Sequence, residues 1–134
     1  MWNEIKTKKD IETLLSVYGG WHDACIVEAK YVSGTIVEID NLAMSLGTST
    51  LTIVFQRQYR NPFSIEVMFE NVKKIKFDYS TALVGASVYD ATMFIHEGLI
   101  YWVAGWSENP SIDDIKDSDT TWLSCHSAKW RVVK

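Results

Sequence analysis

Apolar positions along the chain repeat with two periods, and the change falls at Gly19-Gly20. Before it, Ile11, Leu14, Leu15 and Tyr18 follow the i, i+3, i+4, i+7 spacing of one helical face. Thr7 stands where an N-cap belongs, and Asp10 three residues on completes a capping box. The glycine pair supplies the permissive backbone in which helices end. The spacing predicts one helix over residues 8–18, with an apolar stripe to bury.

After Gly20 the period is two. Cys25, Val27, Ala29 and Tyr31 alternate with Glu28 and Lys30, Ser33-Gly34 turn the chain, and residues 36–39 return. Leu42, Met44 and Leu46 alternate next, then Leu51, Ile53 and Phe55. Ile65, Val67 and Phe69 form one half-buried run, and Ile75, Phe77 and Tyr79 another. Residues 83–95 and 99–106 read as a hairpin turning at Glu97-Gly98. Residues 122–125 and 130–133 read as two closing strands. Short strands with no helices between them pair antiparallel. The expected class is α+β, mostly β: an N-terminal helix followed by about eight antiparallel strands in a curved sheet or sandwich. No repeat, low-complexity tract or linker divides the chain, so residues 1–134 read as a single domain.

One segment breaks the alternation. Residues 108–119 hold Glu108, Asp113, Asp114, Asp117 and Asp119 against Lys116 alone, an acidic excess equal to the chain's whole net charge of −4. They form a loop, or a short acidic helix starting after Pro110 and Ser111. The acidic balance argues against a nucleic-acid binder, which needs basic residues to neutralise phosphates. Lys73, Lys74 and Lys76 make the best basic cluster, and strand alternation places Lys74 and Lys76 on one solvated face. No apolar run approaches the roughly 20 residues of a membrane-spanning helix. Charges in the first ten residues exclude the apolar region of a signal peptide, and no lipidation motif is visible. A cytoplasmic protein without membrane attachment is expected, with Cys25 and Cys125 as buried thiols.

Candidate chemistry is sparse. His22, His96 and His126 show no metal-motif spacing with the two cysteines, so neither metal nor cofactor is implied. Cys25, His22 and Asp23 have residue types suited to nucleophilic catalysis, yet no strained elbow presents a nucleophile. The plainer reading makes His22 and Asp23 corner residues whose polar groups satisfy backbone where helix meets strand. No catalytic residue is assigned, and His22→Ala is expected to cost stability. Residues 56–60, QRQYR, are either a strand end entering a loop or a recognition patch, Arg57 offering a planar fork of donors. Six Trp, six Tyr and five Phe mostly supply core, with some left as anchors for a partner.

The string GGWHDACIVEAKYVSG, followed by IVFQRQYRNP and IEVMFENVKKIKF, resembles a group of small bacterial proteins of uncharacterised function. These open with a short helix and a Gly-Gly-aromatic-His-Asp corner. Gly20, Trp21, His22 and Asp23 match the corner, and Phe55, Gln56, Arg57 and Gln58 match a later strand. The likeness runs from the first helix to the last strand. The corner and the strand order are also similar to immunity proteins of bacterial polymorphic toxin systems, which implies a protein that binds and blocks a cognate toxin.

The leading expectation is a non-catalytic protein-binding domain whose acidic surface covers a basic partner. Asp113, Asp114, Asp117 and Asp119 would steer the encounter. Trp106 or Trp122 would anchor it, and Trp21, His22, Asp23, Gln56 and Arg57 would add a second candidate contact region. Neutralising the four aspartates is expected to leave the fold intact. The alternative is a small-ligand-binding protein or hydrolase-type enzyme with a pocket around His22, Asp23 and Arg57. A homodimer pairing through an exposed edge strand is the third expectation.

Overall fold

The computed structural model describes residues 1–78, 87–106 and 108–134. Helix α1 (Lys8–Tyr18) starts as its capping box dictates. The Thr7 hydroxyl accepts from the Asp10 N–H at 3.3 Å, and the Asp10 carboxylate accepts from the Lys6 and Thr7 N–H groups at 2.8 and 2.9 Å. Those two backbone bonds hold the Asp10 carboxyl below its ordinary pKa of 3.8. The cap is therefore at full strength above that value and is lost as pH falls. Gly19, at φ 72°, ends the helix by donating to the Leu15 carbonyl at 2.7 Å. Ile11, Leu14 and Tyr18 point into the core.

The strands are β1 (Asn3–Ile5), β2 (Ala24–Val32), β3 (Ile36–Val37), β4 (Met44–Ser45), β5 (Thr50–Arg57), β6 (Ser64–Lys76), β7 (Ser87–Val88), β8 (Ala91–His96), β9 (Leu99–Ala104) and β10 (Trp122–Val132). The main sheet runs β7-β2-β5-β6-β10-β9-β8, with β1 also paired to β10, and β3 and β4 form a separate two-stranded ladder. Every described pairing is antiparallel. The class is α+β and mostly strand, led by the helix over residues 8–18.

Several elements differ from the alternation pattern. The two runs after residue 64 are one thirteen-residue strand, and the two closing strands are one eleven-residue strand. β6 and β10 pair along their length, so ladder hydrogen bonds carry both strands across polar stretches that read as breaks. A register shift beside Ser124 and Cys125 leaves Lys73 as the extra residue of a bulge. Lys76 is not freely solvated, since its ammonium donates to the Ser118 carbonyl at 2.6 Å. The acidic segment contains helix α2 (Ile112–Asp117), capped by Ser111 and Asp114 in a second capping box. The hairpin partner is limited to β8, with β7 a separate strand on β2; Tyr79 and residues 83–86 lie outside the described residues.

Both sheet faces are used. One carries Leu51, Ile53 and Phe55 of β5, Ile65, Val67 and Phe69 of β6, and Trp102 of β9, covered by α1 and Trp21. Strand alternation sends Tyr101 and Val103 to the opposite face. There they pack with Trp122 and with Ile115 of α2.

Arg57 joins the helix to this sheet. Its guanidinium donates to the carbonyls of Tyr18 (2.6 Å), Val17 (3.3 Å), Asn61 (3.2 Å) and Pro62 (3.0 Å). It also sits 4.3 Å from the Tyr18 ring centroid. α1 has no basic residue in its own last turn, so Arg57 supplies the donors that its terminal carbonyls need. Arg57→Met is expected to lower unfolding free energy by about 3 kcal/mol, because four carbonyls lose a charged donor. Arg57→Lys recovers only part of that, an ammonium lacking the planar fork. Urea denaturation followed by tryptophan fluorescence measures both.

Candidate functional site

The corner after α1 and the turn between β5 and β6 frame a cleft of about 320 Å³. Asp23, Cys25, Gln56, Gln58, Phe63 and Tyr89 line it, with Arg57 in its wall. Three non-glycine residues around it adopt left-handed backbone: Trp21 (φ 58°), Asp23 (φ 56°) and Tyr59 (φ 60°). Such conformations cost on the order of 1 kcal/mol each and persist only where surrounding contacts hold them. Here Asp23 N–H donates to the Tyr89 carbonyl at 3.2 Å, Ala24 N–H to the Trp21 carbonyl at 3.1 Å, and Gln58 N–H to the Asp23 carbonyl at 3.4 Å. Trp21 is fully buried, edge-on to Tyr18, Phe55 and Trp102 at 5.8–6.3 Å between centroids. The indole is thus the inward anchor of the corner, and His22 and Asp23 are displayed outward.

His22 lies between two carboxylates, Nδ1 at 3.2 Å from Asp90 and Nε2 at 3.4 Å from Asp23. Its side chain is 73% exposed, so these pairs are worth at most about 1 kcal/mol. The stability cost expected of His22→Ala is accordingly small, since the ring satisfies no buried backbone. Arg57 faces inward, and burial, then the nearby charge of Arg60, lowers its pKa from the ordinary value. Its fork is spent on backbone carbonyls rather than offered to a partner. Of the QRQYR block, Gln56 and Gln58 line the cleft, while Tyr59 and Arg60 are exposed beyond it.

The remaining candidates lie elsewhere. Trp106 is half-buried against the Tyr101 and Trp122 cluster beneath α2, and Trp122 is itself buried there. Asp113, Asp114, Asp117 and Asp119 are exposed on and just after α2. Asp114 is part of that helix's cap, its carboxylate accepting from Ser111 N–H at 3.3 Å. Neutralising all four aspartates therefore loosens α2, whereas changing Asp113, Asp117 and Asp119 spares the cap. Tyr89, Asp90 and Phe63 were missed by sequence reasoning. Tyr89 and Asp90 lie more than sixty residues from His22, and no local spacing links them. Among the described residues, no group of three or more His, Cys, Asp and Glu is placed to hold a metal ion. None of the described helices is long and apolar enough to cross a membrane.

No protein-family model, curated protein or solved structure matches this chain.

Both cysteines are free thiols. Cys25 is half-buried in the cleft, and Cys125 is buried in the sheet, where loss of solvent pushes its thiol up to about 12 from 9.0. Burial also raises the Tyr18 phenol. Both groups bind protons more tightly folded than unfolded. The thiol's contribution to stability is complete below about pH 9 and is lost as pH rises toward 12, and the phenol's is complete below about pH 10 and is lost at higher pH. A pH series of urea midpoints should be flat across neutral pH and fall above pH 9, with a shallower fall in Cys125→Ala. At pH 8 an aromatic disulfide reagent should label Cys25 in the native protein and Cys125 only after denaturant is added.

Proposed function

We propose that this chain is a non-catalytic protein-binding domain that takes a basic segment of a partner protein at the cleft. The observation that carries this reading is the division of charge there. The cation in the wall, Arg57, is bonded to four backbone carbonyls, while Asp23 lines the cleft and its carboxylate, with that of Asp90, flanks the exposed ring of His22. A guanidinium or ammonium from a partner would compete with the exposed His22 ring for these two nearly half-exposed carboxylates, with exposed Tyr89 lining the same cleft to stack on its charge. Both His22 ring nitrogens face carboxylates, which favours a binding role over activation of the Cys25 thiol.

The exposed carboxylates of Asp113, Asp117 and Asp119 add long-range steering of a basic partner. The immunity-type role, binding and blocking a toxin, is supported by the likeness of the Gly20–Asp23 corner and by this acidic character. A cytoplasmic setting fits two unpaired thiols. A second reading, small-ligand binding, is favoured by the size of the cleft, within the roughly 300–1,000 Å³ of ligand pockets.

Titration calorimetry with arginine-rich, glutamate-rich and neutral peptides tests the proposal. The basic peptide alone should bind, more weakly as salt rises. The double substitution Asp23→Asn with Asp90→Asn should weaken it about tenfold or more while leaving the melting midpoint within a degree or two. Equal binding of all three peptides, or an unchanged double variant, would exclude the cleft as a basic-segment site. Heat released by small amines but not by peptides would favour the second reading.

A further inference from the structure

We propose that the arm of residues 33–49 is a dimerisation element that packs against the same arm of a second copy of this chain. The ladder between β2 and β5 ends at the pair Val32 and Thr50. The residues between leave the main sheet and form their own ladder, with Ile36 opposite Ser45 and Val37 opposite Met44. The arm is a built element with a defined shape. At its neck the chain crosses itself through Gly34 and Gly47. A Cβ on Gly34 would stand 2.5 Å from the Thr48 carbonyl oxygen, and one on Gly47 would overlap the Gly34 carbonyl. Its tip is closed by Glu38 N–H to the Ala43 carbonyl and Leu42 N–H to the Glu38 carbonyl, both 2.8 Å.

Its side chains are unsuited to water. Ile36, Val37, Ile39, Leu42, Met44 and Leu46 are 57–88% exposed. The register sets Val37 and Met44 on one face of the ladder and Ile36 on the other, so the area they present together, on the order of 800 Å², is divided between two faces, each offering part of what a partner contributes to a stable interface. A lone two-stranded ladder is marginal in water, so this one needs a covering surface.

Charge selects a second copy as the cover. The tip carries Glu38 and Asp40. The root carries exposed Lys30 on β2 and exposed Lys73 and Lys74 on β6, just past Val72, whose N–H donates to Ser49 Oγ at 2.9 Å. Two arms laid antiparallel about a two-fold axis bring apolar side chains together and set each acidic tip against the other copy's basic root. The parallel arrangement sets like charges against each other. β5 carries the arm at Thr50 and the cleft wall at Arg57, roughly 25 Å apart for eight extended residues. The dimer therefore leaves the cleft open.

Sedimentation velocity across roughly 1–300 μM protein tests the proposal, that range bracketing micromolar dissociation constants. The wild-type chain should give twice its mass of 15.3 kDa. Leu42→Asp and Leu46→Asp should each raise the dissociation constant at least about tenfold. The pair Glu38→Lys with Asp40→Lys should weaken association, and adding Lys30→Glu, Lys73→Glu and Lys74→Glu should restore it. Near-ultraviolet circular dichroism of the buried tryptophans identifies any variant that fails to fold. A monomer throughout the range, a dimer unmoved by folded arm variants, or an assembly larger than two copies would overturn the proposal.

Discussion

A single buried guanidinium connects the helix, the end of β5 and the turn that follows it. Helix α1 ends in carbonyls with no basic residue of its own turn to meet them, and the turn after β5 exposes two more. Arg57 closes four of these groups, at Val17, Tyr18, Asn61 and Pro62, from one planar side chain. Burying a cation is costly unless its donors are filled. The fit of the fork to backbone oxygens, with Tyr18 below the guanidinium, offsets that cost. The orientation of α1 on the sheet and the path of the β5–β6 turn both depend on it, and so does one wall of the cleft.

The corner before β2 works with this pin. Trp21 takes a left-handed backbone and fills the space between α1, Phe55 and Trp102. With the indole inward, the next two side chains face solvent, and Asp23 meets the backbone of Tyr89. The candidate site is therefore a by-product of core packing. Its display residues are fixed by a buried tryptophan and by an arginine whose donors are already spent on backbone carbonyls. The opposite sheet face follows the same economy, since α2 covers Tyr101 and Trp122 while its carboxylates remain in water.

Much of the fold was legible because its signals are local. Ile11, Leu14 and Tyr18 share a helical stripe, Thr7 with Asp10 makes a capping box, and Glu97-Gly98 turns a hairpin with both residues at positive φ. The splitting of β6 and β10 shows where local signals stop. Residues 70–74 and 126–129 look like interruptions, yet each is held in strand by a partner far away in the chain. Alternation reports which residues share a face; it does not report which neighbour continues the ladder.

The sequence by itself determined the class of fold, the first helix with its two ends, most strand positions and the acidic character of the 108–119 segment. All of these follow from steric and hydrogen-bond preferences acting within a few residues. Tertiary structure alone decided that Arg57 turns inward, that Trp21 and Trp122 are core, that Tyr89 and Asp90 join Asp23, and that six apolar residues of the 33–49 arm stay in water. Each of these depends on what lies opposite a side chain once the sheet has closed, and a partner dozens of residues distant leaves no period in the chain to mark it.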